Sequence, residues 1–239
     1  MQQIRSYIFT GLWTLWTALF APILGVLMLT GSRPVWVRKW ARIWAGGVLG
    51  MLKYIVGLDH RVIGRENIPA KPCLIVCNHQ STWETIAVLI LFPDVAIITK
   101  KELLKVPIFG PFLRLSPMIT IDRESGTKAI RKMNEEGAVA LSQGRSVLIF
   151  PEGTRSEPGA PVEFKRGVEL LYGKLDCELL PVAMNSGDFW RPGKQNKKAG
   201  TITLTCLPPI PAGENASAAI KAAEAAIQAE LTAIRATLV

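Results

Sequence analysis

The chain has 239 residues, of which 49% are hydrophobic and 20% charged, and a formal net charge of +9. That size suits one domain with its own core and a small appendage at most. The charge does not read as a nucleic-acid footprint, because residues 1–60 hold six Lys/Arg against one acid, Asp59, in the stretch where lipid-facing residues gather. Four cysteines (Cys73, Cys77, Cys177, Cys206) have neither C-x-x-C spacing nor histidine partners and read as reduced, structural thiols.

From Ser6 to Ser32 no residue is charged, and Arg5 and Arg33 bracket the run. A helix of that length reaches roughly 40 Å, against about 30 Å for a bilayer core. The run is too long for a signal-peptide core and no A-x-A-like site follows it, so a retained membrane segment is expected. Pro22 and Gly25 leave two shapes open, a straight span and a bent, re-entrant helix. In residues 34–58, Trp36, Trp40 and Trp44 recur every fourth residue, with Arg38, Lys39 and Arg42 between them. This predicts a helix at the membrane interface, with indoles at headgroup depth and cations toward anionic lipid. If the first helix spans, those cations put the main domain on the cytoplasmic side.

After Leu58 short β-branched runs alternate with helical stretches. Strands are predicted at 61–63, 73–77, 95–99, 118–121, 146–150, 179–184 and 201–207, with helices near 82–92, 102–115, 125–142 and 164–174. The tail from Asn215 places Ile220, Ile227, Leu231, Ile234 and Leu238 at helical spacing, an amphipathic helix closing the core. The expected fold class is α/β, with a largely parallel, mixed sheet covered by helices and an N-terminal membrane-associated helix pair. Residues 1–58 then form the membrane module, and 59–239 the α/β domain.

In such folds ligands gather at the carboxyl ends of strands. Four polar motifs follow predicted strands: NHQSTWET (78–85), Lys100–Lys101, Asp122–Arg123 and PEGTRS (151–156). Ser81 and Glu84 fit a capping box, which explains both without catalysis. The same geometry brings Glu84 toward His79, where it can fix the imidazole tautomer and stabilise the imidazolium. With no G-x-S-x-G elbow and no helical partner for the only other histidine, His60, neither a serine hydrolase nor a metal site is indicated. The simplest chemistry left is deprotonation of a substrate hydroxyl. In PEGTRS, Gly153 allows close backbone approach, Thr154 offers a hydroxyl, and Arg155 offers a fork suited to phosphate or carboxylate. Glu152 would repel a phosphate and can instead orient Arg155 or a backbone amide. Arg123 and Lys101 add positive charge or are simply solvated.

Taken together, NHQSTWE, ITIDR, FPEGTRS and LLPVAM resemble, in order and spacing, the blocks of the glycerolipid acyltransferase family, specifically the 1-acylglycerol-3-phosphate acyltransferases, over roughly 60–210. The resemblance implies acyl transfer from acyl-CoA or acyl carrier protein to the free hydroxyl of a lysophospholipid acceptor at the bilayer, with no metal or bound cofactor. It implies that His79 is the general base, with Glu84 standing where the family's H-x4-D pattern has aspartate. It assigns phosphate recognition to Glu152, Gly153, Thr154 and Arg155, and acceptor binding to Arg123. Basic residues at Lys100–Lys101 match more loosely. LLPVAM is expected near the acyl chain. The competing readings are an acyltransferase for another lysolipid such as a lyso-ornithine lipid, a non-catalytic binder of anionic lipid, and a phospholipase-like hydrolase.

Overall fold

The computed structural model describes residues 1–237, so Leu238 of the expected C-terminal stripe lies outside the described residues. Seven strands form one sheet: β1 (Leu58–Ile63), β2 (Leu74–Cys77), β3 (Val95–Lys100), β4 (Ile119–Ile121), β5 (Ser146–Ile149), β6 (Leu179–Met184) and β7 (Gly200–Cys206). Their order is β1-β7-β6-β2-β5-β3-β4, and every pairing is parallel except β6 with β7. The uninterrupted apolar runs explain this placement. All residues of β2 and β6 are buried, as befits central strands covered on both faces.

Helices α1 (Gln2–Leu29), α2 (Pro34–Met51), α3 (Trp83–Leu91) and α4 (Phe109–Leu115) contribute to the core on one face of the sheet. On the other face lie α5 (Thr127–Ser142), α6 (Gly167–Leu175) and α7 (Ala216–Ala236). Asn215 caps α7 by accepting from the Ala218 N–H at 3.0 Å, and Ile220, Ile227, Leu231 and Ile234 are buried as their spacing predicts. Because β6, β2, β5, β3 and β4 are neighbours and mutually parallel, their carboxyl ends emerge along one edge of the sheet.

The stretch 102–115 is not one helix. A 3₁₀ turn (Lys101–Lys105) is separated from α4 by Pro107, which has no N–H to carry a helical ladder onward, and by Ile108 at φ 65°. The Phe109 N–H donates to Pro107 O at 2.7 Å, closing a γ-turn, a strained arrangement for a β-branched residue.

α1 and α2 pack antiparallel. Trp16 Nε1 donates to Trp44 O at 3.0 Å, Trp44 Nε1 to Thr17 Oγ1 at 3.1 Å, and Phe20 meets the Trp40 ring edge-on at 6.2 Å. A Cβ on Gly47 would sit 2.6 Å from the Trp16 ring, so only glycine permits this approach. The amino end of α1 is fastened to the α/β domain: Gln2 Nε2 donates to Lys197 O at 2.9 Å, the Lys197 N–H to Ser6 Oγ at 3.0 Å, and Lys197 Nζ lies 5.0 Å and 4.6 Å from the Phe9 and Trp190 rings. Burial pushes the Lys197 ammonium down to about 8.

The role expected for the α2 arginines is corrected. Arg38 bonds Asp94 at 3.0 Å, and Arg42 donates to the carbonyls of Phe92 (3.0 Å) and Pro93 (2.6 Å). These arginines face the domain, where orphaned carbonyls at the end of α3 attract cations. Of the three, only Lys39 faces outward, 5.1 Å from the Trp36 ring. Trp36 and Trp40 are exposed, whereas Trp44 is held in the helix seam.

Candidate active site

The loop leaving β2 is fixed from both sides. Asn78 stands where the β2–β6 ladder ends and continues it with its amide, donating to Met184 O and accepting from the Met184 N–H, both at 2.8 Å. The His79 N–H donates to Glu152 Oε1 at 2.5 Å, and His79 O accepts from the Ser156 N–H at 2.8 Å. The imidazole stacks on Phe150 with centroids 4.3 Å apart and planes 22° from parallel. Its Nδ1 lies 3.0 Å from Glu84 Oε1.

Glu84 sits in the first turn of α3 and is completely buried. Its Oε1 also accepts from the N–H groups of Gln80 (2.5 Å) and Ser81 (2.6 Å), and Oε2 accepts from Ser186 Oγ at 2.7 Å. Ser81 Oγ accepts from the Trp83 N–H at 2.8 Å, but the cap residue of α3 is Thr82, one position after the expected Ser81, and its side chain makes no cap bond. Capping and orientation of the histidine coexist, because one carboxylate serves both. Burial opposes the charge of Glu84, yet the bond to His79, the imidazole's charge, Ser186 and the Ser81 N–H outweigh it and hold the carboxyl below its ordinary value.

Glu152 behaves oppositely. Burial dominates and raises its carboxyl above the ordinary value, although Ser156 Oγ and the His79 N–H bond it. The two buried carboxyls that hold the His79 loop are thus driven apart, Glu84 toward charge and Glu152 away from it. Glu152 holds the loops after β2 and β5 together and does not border the cavity described next.

That cavity, of about 780 Å³, lies between the α1–α2 pair and the sheet edge, within the usual range for ligand sites. Its lining includes His79, Lys100, Arg123, Gly153, Thr154 and Arg155; elsewhere its walls are mainly apolar, from Phe20, Leu24 and Leu27 of α1 to Leu89, Phe112 and Met118, with Thr17, Thr82, Thr85 and Thr99 among them. Gly153 at φ 72° turns the chain where a Cβ would sit 3.0 Å from Lys165 Nζ. Arg123 donates to Gly153 O, bracing the turn from β4. Thr154 and Arg155 are exposed on the rim. Lys101 does not line this space: it opens the 3₁₀ turn and its ammonium pairs with Asp122 at the surface, while Lys100, the last residue of β3, borders the cavity. LLPVAM is likewise displaced from its expected place. It is β6, enclosed in the sheet, and none of its residues borders the cavity.

Sequence reasoning passed over Phe150 and the polar residues Asn185–Ser186 after β6. The rule that found the other motifs, polar residues immediately past a buried strand, points equally to MNSG (184–187). The thiols are poor nucleophiles; burial raises Cys73 to about 12 and Cys206 to about 11. Among the described residues no group of three or more His, Cys, Asp or Glu is arranged to hold a metal ion.

Residues 59–185 match the family model described as Acyltransferase. A 1-acyl-sn-glycerol-3-phosphate acyltransferase of Pseudomonas aeruginosa is 36% identical, over 87% of this chain and 81% of that protein. The human 1-acyl-sn-glycerol-3-phosphate acyltransferase alpha is 32% identical over 67% of this chain, which spans 58% of the human protein's length. The crystal structure of a 1-acyl-sn-glycerophosphate (LPA) acyltransferase from Thermotoga maritima superposes with a TM-score of 0.77, covering 99% of this chain and 98% of that one at 24% identity. This last likeness establishes a shared fold, helix pair included.

Proposed function

The chain belongs to the family of 1-acyl-sn-glycerol-3-phosphate acyltransferases, and from that premise we propose that it moves a fatty acyl group from acyl-CoA or acyl carrier protein to the free hydroxyl of 1-acylglycerol 3-phosphate, giving phosphatidic acid, with His79 as general base. The observation that carries this reading is the imidazole held by a buried carboxylate at 3.0 Å on the wall of the cavity that also carries Arg155.

With Nδ1–H donated to Glu84, the lone pair of Nε2 is left for the acceptor hydroxyl. Nε2 takes the hydroxyl proton as the oxygen attacks the thioester carbonyl. The C–O bond forms, the C–S bond breaks, and the imidazolium returns its proton to the departing thiolate. Glu84 stabilises the imidazolium between these steps without itself being protonated. Arg155, with Lys100 and Thr154, receives the phosphate at the rim, and the apolar walls receive acyl chain. Arg123 and Glu152 shape this site by holding the 153–156 turn and the His79 backbone; Lys101, paired with Asp122, acts at its margin. The chemistry calls on no bound cofactor.

In this reading residues 1–58 are the membrane-facing part and residues 59–239 the acyltransferase unit. α1 is long and apolar enough to cross a bilayer. Its outward stripe of Leu12, Leu15, Leu19 and Val26 joins Trp36 and Trp40 of α2. Its amino end is tied to the domain through Lys197, and the helix that follows it through Arg38, which favours lying within one leaflet over crossing. The cytoplasmic leaflet, where the donors are, is the side proposed. Leu15→Asp with Leu19→Asp is expected to shift the protein from the membrane pellet to the supernatant with its circular dichroism unchanged; continued sedimentation with membranes argues against this surface.

The acceptor assignment is tested at Arg155, which is exposed and bonds no carboxylate among the described residues. Arg155→Ala is expected to raise KM for 1-acylglycerol 3-phosphate about 10- to 100-fold, as loss of a charge-assisted contact of about 1.5–3 kcal/mol requires, while KM for the donor stays fixed. An unchanged acceptor KM, or a faster wild-type rate on a phosphate-free lysolipid, moves the assignment to another acceptor.

A further inference from the structure

The Glu84 carboxylate is shared between two loops. Its Oε1 serves His79 and two backbone N–H groups of its own segment, whereas its Oε2 accepts from Ser186, 102 residues away and itself completely buried. Ser186 cannot easily drift. Asn78 joins the end of β2 to Met184 through two bonds of 2.8 Å, and Asn185 Oδ1 accepts from the Thr203 N–H at 2.8 Å. Next along the chain, a Cβ on Gly187 would lie 2.8 Å from Gln80 Cβ, so this loop rests directly on the histidine loop. We infer that Ser186 is a positioning residue of the acyl-transfer site, setting through Glu84 both the orientation of the His79 imidazole and the charge that faces it.

This role of Ser186, a residue from a separate strand end, rests on the His79–Glu84 pair acting as proposed above. A hydroxyl donating to Oε2 draws charge away from Oε1 and stops the carboxyl group from turning about its Cγ–Cδ bond. Without it, the charge gathers on the oxygen facing the imidazole. The imidazolium is then held more tightly, so a higher pH is needed to free the base, and the ring is less firmly aimed. The glutamate at position 84 meets this hydroxyl with its outer oxygen while its inner oxygen keeps the backbone and ring contacts.

The test compares Ser186→Ala, Glu84→Gln and the double variant in kcat, KM and the pH dependence of kcat/KM, on full-length protein in detergent with acyl-CoA and 1-acylglycerol 3-phosphate. Ser186→Ala is expected to lower kcat about tenfold with KM unchanged, and to move the acid limb of kcat/KM to higher pH. In the Glu84→Gln background the same substitution is expected to cost less and to leave the acid limb where it is, because no carboxylate charge remains for the hydroxyl to draw on. Should Ser186→Ala not fold, Ser186→Cys retains a weak donor and is expected to show a smaller loss and the same direction of pH shift. Wild-type kcat and pH profile in Ser186→Ala, or an equal loss in both backgrounds, overturns the role of Ser186 and leaves His79–Glu84 intact. Full activity in Glu84→Gln itself overturns that pair, and this inference with it.

Discussion

Replacing His79 with alanine is expected to lower kcat by about 10³-fold or more, at the upper part of what a positioned base supplies, while KM for 1-acylglycerol 3-phosphate stays unchanged. The fold is expected to survive. The backbone bonds of residue 79, to Glu152 and from Ser156, do not involve the ring, and the Glu84 carboxylate keeps Gln80, Ser81 and Ser186 as donors. Thermal unfolding and membrane sedimentation should therefore match wild type, and initial rates of phosphatidic acid formation should not. A variant that unfolds would show the ring to be structural; one that turns over normally would remove His79 from the mechanism.

The second large effect is expected at Glu84. Glutamine is nearly isosteric, and its carbonyl oxygen can take the place of Oε1 while its amide donates to Ser186 Oγ. Glu84→Gln should consequently fold, yet kcat is expected to drop about 10²- to 10⁴-fold, since a neutral partner no longer stabilises the imidazolium. The same carboxylate links activity to acid stability. Its value is depressed in the folded state, so its contribution to stability is present at neutral pH and is lost as pH falls below the ordinary glutamate value of about 4.3 toward the folded one. Glu152, raised by burial, has the opposite sign and favours the fold most at low pH. Unfolding midpoints of Glu84→Gln measured between neutral and acid pH should lose part of the wild-type acid dependence; an unchanged dependence contradicts an ionised Glu84.

The central strands were legible because a parallel sheet covered on both faces needs continuous apolar runs such as CLIVC, SVLIF and LLPVAM, whereas of the edge strand β1 (LDHRVI) only 61–63 was read. The rule that ligands collect at strand ends led to His79, Arg123 and Gly153–Arg155, which do share one cavity. What escaped depended on facts that spacing does not carry. Lys100 and Lys101 are adjacent and alike in type, and only the end of β3 at Lys100 and the pairing of Lys101 with Asp122 decide which one borders the cavity. Arg38 and Arg42 read as lipid-facing because the carbonyls and Asp94 that capture them lie some fifty residues away. The Ser186–Glu84 bond spans 102 residues and needs the sheet order to be known. The break in 102–115 was announced by Pro107, and the positive φ at Ile108 follows from how the chain must turn to start α4.

The central claim is direct transfer, in which the imidazole of His79 takes a proton from a lipid hydroxyl and no acylated enzyme forms. Free-thiol release from acyl-CoA, followed with and without 1-acylglycerol 3-phosphate for wild type and His79→Ala, addresses it in one experiment. Thiol should appear only with wild type and acceptor together, in amounts equal to the phosphatidic acid made. Thiol released without acceptor, or at an undiminished rate by His79→Ala, contradicts it.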